Sequence, residues 1–264
     1  MSEKWIDANE YSFRSILLLE RFQIRYMLRK LEKYDELGAA LRYNPTAAWY
    51  CKRRCPEYSE LVDEIVRKAP KIIDKALVRE CEVFVMDSIM DFITYTTPDI
   101  MNTNCGFIRE WDSERLYEIV ELQGKTVLDL GAGNGRLTFA AAKYADEVYA
   151  VEPVGTLREY MRDKILREGI KNVRVTEGLS FDIPYPDNTF DVVMSGHVVG
   201  DNYDVELAEL ERVVKNGGWL IDCPGEDDRD MAASQELIDN GWEEVNYVSR
   251  YGTVVRRYRK QVNK

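Results

Sequence analysis

Val127-Leu128-Asp129-Leu130-Gly131-Ala132-Gly133-Asn134-Gly135 is the stretch on which the reading of the fold turns. The apolar run Thr126–Leu130 predicts a buried strand, and the glycines at 131, 133 and 135 follow it at the turn into a helix. Glycine leaves no side chain between the backbone and a ligand, so this turn can be approached closely. In an open parallel sheet, ligands bind outside the carboxyl ends of the strands, near the point where strand order reverses.

Outward from this turn, short apolar runs alternate with helical patterns, the signature of strand-helix-strand units and a parallel sheet. The predicted strands are Thr126–Leu130, Glu147–Val151, Val173–Thr176, Phe190–Met194 and Trp219–Asp222. Helical patterns cover Leu137–Tyr144, Leu157–Glu168 and Val205–Val214, with Gly217-Gly218 read as closing the last of these. At the end of the chain, Glu243–Ser249 and Val254–Lys260 read as two strands of a hairpin joined across Arg250-Tyr251-Gly252-Thr253.

The second predicted strand leads into Glu152, 21 residues after Gly131, where a carboxylate can accept both ribose hydroxyls of an adenosine. That spacing alone also suits a nicotinamide dinucleotide. Asp129, just ahead of the glycines, discriminates: it would repel a pyrophosphate and favour S-adenosylmethionine, which carries an ammonium and a sulfonium.

Val127–Gly135, Val148–Pro153 and Phe181–Val193 together resemble the successive motifs of the class I (Rossmann-like) S-adenosylmethionine-dependent methyltransferases, small-molecule type. The resemblance covers residues 112–264. It implies an α/β fold: a seven-stranded, mostly parallel sheet with helices on both faces and one antiparallel strand near an edge. It also implies that Asp129, Gly131, Ala132, Gly133 and Asn134 hold the methionine end of the donor and Glu152 the ribose, with Pro153 a further cofactor-binding residue, and that S-adenosylhomocysteine is the product. In such enzymes an acid commonly follows the glycine of the third strand and accepts from the adenine amino group, whereas here Gly178 precedes Leu179. Two alternatives arise: Leu179 packs on the purine while the backbone of Ser180 and Phe181 reads its edge, or Asp182 reaches in. The first is favoured.

His197, the single histidine, follows the fourth predicted strand. Its ordinary pKa near neutrality makes it a candidate general base for a hydroxyl or amine acceptor, and lining the cofactor pocket is the competing role. Tyr95, Arg109 and Trp111 flank the polar stretch Thr96–Gly106, read as a loop, and are candidate substrate or lid contacts.

Residues 1–110 lack convincing alternation and read as a helical extension, a lid or substrate-selecting region, ahead of a catalytic domain at 111–264. Apolar residues recur at helical spacing from Asn9 to Leu37, and further helical segments follow at 59–68 and 71–95. Asp112-Ser113-Glu114 reads as a capped helix start. Cys51 and Cys55 could offer two metal ligands, but a four-ligand site would need the distant Cys81 and Cys105, so no metal is expected.

The net charge of −11 opposes capture of a polyanion. The acidity is concentrated: residues 111–264 hold 29 Asp and Glu against 19 Lys and Arg, while residues 1–110 are near neutral. A small-molecule acceptor is therefore expected and nucleic acid disfavoured, with methylation of RNA or protein, or a non-catalytic regulator that binds the donor, as alternatives. No apolar run of membrane-spanning length appears, and Met1–Trp5 does not open a secretory signal, so a cytoplasmic protein without membrane contact is expected.

Overall fold

The computed structural model describes residues 4–72, 74–109, 111–200, 202–225, 232–249 and 251–264. Two compact units divide between Ile100 and Met101.

The first unit is helical: 3-10 turns at Ala8–Glu10, Phe13–Leu18 and Pro56–Tyr58, and helices α1 (Arg21–Leu31), α2 (Asp35–Tyr43), α3 (Pro45–Arg54), α4 (Ser59–Lys68), α5 (Lys75–Ser88) and α6 (Met90–Tyr95). Two of the starts have a clear local cause. At α1, the carboxylate of Glu20 and the side chain of Gln23 cap each other's backbone reciprocally; at α3, Pro45 takes a first-turn position where its missing N–H costs nothing. The core gathers Ile16, Leu19, Ile24, Met27, Leu28, Leu37, Val62, Val85 and Met86. Cys51 and Cys55 lie buried within it, and burial pushes the Cys51 thiol up to about 12, away from the thiolate that a metal requires.

Helix α7 (Pro98–Asn104) and helix α8 (Gly106–Arg109) occupy the stretch read as a polar loop. That expectation is corrected for a physical reason. Thr97, Pro98 and Asp99 are turn formers, but a proline followed by an acid also opens a helix, with its fixed φ and a carboxylate in the first turn.

The second unit holds β1 (Thr126–Leu130), β2 (Glu147–Val151), β3 (Val173–Thr176), β4 (Phe190–Ser195), β5 (Val214–Asp222), β6 (Glu243–Glu244), β7 (Tyr247–Val248), β8 (Val254–Val255) and β9 (Tyr258–Gln261). Its helices are α9 (Glu114–Tyr117), α10 (Arg136–Ala141), α11 (Gly155–Glu168), α12 (Tyr203–Val213) and α13 (Gln235–Asp239). Seven strands form one sheet in the order β3-β2-β1-β4-β5-β9-β6, with β9 antiparallel to β5 and β6. Strand order reverses between β1 and β4. The four central strands are apolar on both faces, as a sheet covered by helices requires.

Gly217-Gly218 lies inside β5 rather than closing α12, a second correction. The helix stops at Val213, and the register of β5 against β4 jumps from Phe190↔Val214 to Val192↔Trp219. The residues between are accommodated by Gly217 at φ +77°. The expected terminal hairpin divides in two, since Tyr247–Val248 pairs with Val254–Val255 while Glu243–Glu244 joins the main sheet through β9. Arg250 in its turn lies outside the described residues. Among the described residues, no helix is long and apolar enough to cross a membrane.

Candidate functional site

β1 and β4 deliver their carboxyl ends to the reversal point, and the turn after β1 is built from left-handed glycines. Gly131, Gly133 and Gly135 sit at φ +66°, +58° and +89°. They serve different ends. A Cβ on Gly131 would fall 2.3 Å from Cγ2 of Val198, so this glycine permits close packing of the β4 exit loop. A Cβ on Gly133 would meet only Met101 Cε, at 3.8 Å, leaving the backbone of this residue approachable.

Two buried carboxylates flank the turn. Glu152, just past β2 and 4% exposed, accepts the N–H of Gly133 on Oε2 and the N–H of Val154 on Oε1, both at 2.8 Å. Asp129, 1% exposed, accepts from the Thr138 hydroxyl at 2.5 Å. Burial pushes Asp129 up to about 6 against the hydroxyl and the nearby Arg136 charge. Glu152 is pushed up to about 7, again by burial, with its two amide bonds pulling the other way. Each carboxylate retains lone pairs beyond these bonds.

This donor set fits S-adenosylmethionine. A cation beside Asp129 would relieve a buried negative charge, and ribose hydroxyls would fill the free lone pairs of Glu152. A pyrophosphate would meet two carboxylates instead.

Pro153 and Ala132 line the same turn, and Asn134 is fixed through its side chain: its Nδ2 donates to Oδ1 of Asn102 at 2.6 Å, and Nδ2 of Asn102 donates to the Tyr160 hydroxyl at 3.0 Å. After β3, the backbones of Leu179 and Asp182 bond to each other, closing a tight turn through Ser180 and Phe181. The Asp182 side chain is exposed, and the Phe181 ring is half exposed. The Ser180 hydroxyl donates to Glu206, a buried carboxylate on α12 that also accepts the N–H groups of Gly200 and Asn202.

His197 is exposed past the end of β4, with its ring edge-on to Phe107 at 6.4 Å between centroids. Arg109 is exposed on α8, and one guanidinium nitrogen donates to the Thr103 carbonyl at 2.6 Å. Trp111 is half-buried beneath the Arg136 guanidinium, 4.5 Å from its ring centre. Tyr95 ends α6 in the first unit, its ring 5.9 Å from that of Trp5. Sequence reasoning missed Asn102, Thr138, Arg136, Glu206 and Asp222. Only Asp222 carried a signal, since it ends a strand just as Asp129 nearly ends β1.

The strand order and the glycine turn define a Rossmann-like nucleotide-binding domain. Residues 128–222 match the family model described as a methyltransferase domain. Over 134 residues the chain is 31% identical to a demethylmenaquinone methyltransferase of Geobacillus sp. (strain WCH70), covering 48% of this chain and 57% of that protein. It is 38% identical over 133 residues to a ubiquinone/menaquinone biosynthesis C-methyltransferase UbiE of Burkholderia multivorans (strain ATCC 17616 / 249), covering 47% and 53%. The chain thus spans little more than half the length of these relatives. A SAM-dependent methyltransferase structure from Aquifex aeolicus superposes with TM-score 0.50 at 25% identity, covering 62% of this chain and 97% of that one. A Methanococcus maripaludis structure shares the fold at TM-score 0.50 and 16% identity, covering 63% and 90%. Residues 128–222, within the second unit, thus match a methyltransferase domain, on a fold shared with S-adenosylmethionine-dependent methyltransferases.

Proposed function

We propose that this protein transfers the methyl group of S-adenosylmethionine to a small organic acceptor. The carrying observation is the pair of buried carboxylates, Asp129 and Glu152, on either side of the approachable Gly133 backbone. When bound, the donor supplies an electrophilic methyl on a sulfonium. Asp129 neutralises the cationic methionine end, Glu152 accepts from the ribose, and the turn at Leu179, Ser180 and Phe181 receives the adenine. His197 takes a proton on a ring nitrogen when the acceptor is a hydroxyl or protonated amine, and otherwise lines the pocket. Arg109 and Trp111 are the proposed acceptor contacts in the second unit. Holding donor and acceptor in line, away from water, is the main source of acceleration in such a transfer.

The acidity of residues 111–264 favours a small molecule over RNA. The named quinone methyltransferases match over little more than half of their own length, so they support the donor, with a quinone-type ring as one acceptor to try. The test is calorimetric titration with S-adenosylhomocysteine beside a nicotinamide dinucleotide, on wild type, Gly133→Val and Glu152→Ala. Binding of the homocysteine compound to wild type alone supports the reading. Binding of the dinucleotide alone overturns it. Incubation with labelled donor and fractionated extract then separates small-molecule, RNA and protein acceptors.

A further inference from the structure

Glu206 stands near the start of α12, 2% exposed, and its two oxygens serve different parts of the chain. Oε2 accepts the N–H of Gly200 at 2.9 Å and that of Asn202 at 3.2 Å, securing the segment after β4 where it enters the helix. An acid at the head of its own helix needs no more than this. Oε1 instead accepts the Ser180 hydroxyl at 2.9 Å, 26 residues back in the turn after β3. One buried carboxylate thus joins the exits of two strands.

The same face of α12 holds the rest of that turn. Glu209 accepts the Ile183 N–H on Oε2 at 2.9 Å, and Arg212 donates to the carbonyls of Ile183 at 3.0 Å and Tyr185 at 2.8 Å. Residues three apart on a helix are neighbours, and Glu209 and Arg212 also pair with each other at 2.7 Å. The chain after β3 is therefore bonded to α12 at Ser180, Ile183 and Tyr185. A buried carboxylate is costly unless donors satisfy it, and Glu206 draws its three donors from two separate segments. Removing Glu206 frees both segments, whereas removing the Ser180 hydroxyl only uncouples them.

We infer that Glu206 is a positioning residue that sets the turn Leu179–Asp182 against the segment after β4, and through that turn governs discrimination of adenine from other bases. The inference rests on the methyl-transfer reading, in which this turn receives the adenine. A backbone that reads the edge of a base must be held to within about 0.5 Å by groups that are themselves fixed. Glu206 supplies that support for Ser180 from a helix rather than from another loop.

The test compares S-adenosylhomocysteine with S-inosylhomocysteine, in which a carbonyl oxygen replaces the adenine amino group, by calorimetry on wild type, Ser180→Ala, Glu206→Ala and Glu206→Gln. Wild type should prefer the adenine compound. Ser180→Ala and Glu206→Ala should each reduce that preference by about fivefold or more, the worth of one misplaced hydrogen bond. Glu206→Gln should restore it, since the amide oxygen can accept from Gly200 and Asn202 while its NH2 donates to the Ser180 oxygen. Hydrogen exchange of the Gly200 amide should quicken about tenfold or more in Glu206→Ala and stay near wild type in Ser180→Ala. Variants that lose stability but keep the wild-type preference would make Glu206 a structural acid only and overturn the inference, as would a wild type that binds both compounds equally. If Glu206→Ala fails to fold, the half-buried Ser180→Ala carries the same comparison. A wild type that binds neither compound removes the methyl-transfer reading and this inference with it, a result distinct from binding with undiminished discrimination, which removes the inference alone.

Discussion

Glu152 holds Gly133 by its backbone, Oε2 accepting the glycine N–H at 2.8 Å, so the carboxylate proposed to accept from the ribose also fixes the glycine turn beside it. Its other oxygen fixes Val154 at the head of α11. Binding and loop geometry are therefore not separable at this residue. Glutamine in its place satisfies one amide and turns an NH2 toward the other. The Glu152→Gln protein should bind S-adenosylhomocysteine about 10- to 100-fold more weakly, the loss expected for about 1.5–3 kcal/mol at a hydrogen-bonded charge. Calorimetry at pH 8 measures it, and near-wild-type affinity would contradict the assignment.

Ionisation of the two flanking acids predicts a pH profile. Their folded values, about 6 for Asp129 and about 7 for Glu152, lie above their ordinary 3.8 and 4.5, so between about pH 4 and 7 the native state binds more protons than the unfolded state. These groups therefore make the free protein less stable as pH rises through that window. The ligand reverses the preference, since its ammonium and hydroxyls select the ionised acids. Affinity for S-adenosylhomocysteine should rise from pH 5 to pH 7 and level above it, by about tenfold per pH unit for each acid still protonated. Titrations in two buffers of different ionisation enthalpy should reveal proton release near pH 6. A flat profile would sink the claim.

Thr138 is the hydroxyl that holds Asp129 down, at 2.5 Å. Thr138→Val is nearly isosteric but removes the donor and leaves a buried carboxylate oxygen unpaired. The Asp129 value should move further above about 6, shifting the low-pH limb of the affinity profile upward by about one to two units, since a lost hydrogen bond to a charged group is worth about 1.5–3 kcal/mol. Comparing the two profiles checks it. A coincident limb would show that the Asp129 titration does not govern binding.

The parts of the site that sequence made legible are the local ones. Gly131, Gly133 and Gly135 declare a left-handed turn by composition, and Asp129 and Glu152 sit at predictable distances from it along strands whose apolar runs are unambiguous. Pro98 and Asp99 suit either a loop or a helix start, and the chain takes the helix, on which Met101 is buried. Asn102 could not be foreseen: its partners, Asn134 and Tyr160, lie 32 and 58 residues away and meet it only through the tertiary fold. Gly217-Gly218 misled because glycines that end a helix and glycines that permit a bulge look alike in sequence.

Gly131 offers the sharpest test of the turn itself. At φ +66°, any side chain incurs about 1–2 kcal/mol of left-handed strain, and a Cβ here would also stand 2.3 Å from Cγ2 of Val198. Gly131→Ala should therefore lose at least about 2 kcal/mol of stability, the strain and the overpacking adding together. Adding Val198→Ala removes the clashing methyls but leaves the strain. The double variant should recover part of the loss relative to the Gly131→Ala single variant, after allowing for the cost of Val198→Ala alone, and denaturant titration of all four proteins closes the cycle. Additive losses would mean that Val198 yields freely and that the glycine is required only for its backbone conformation.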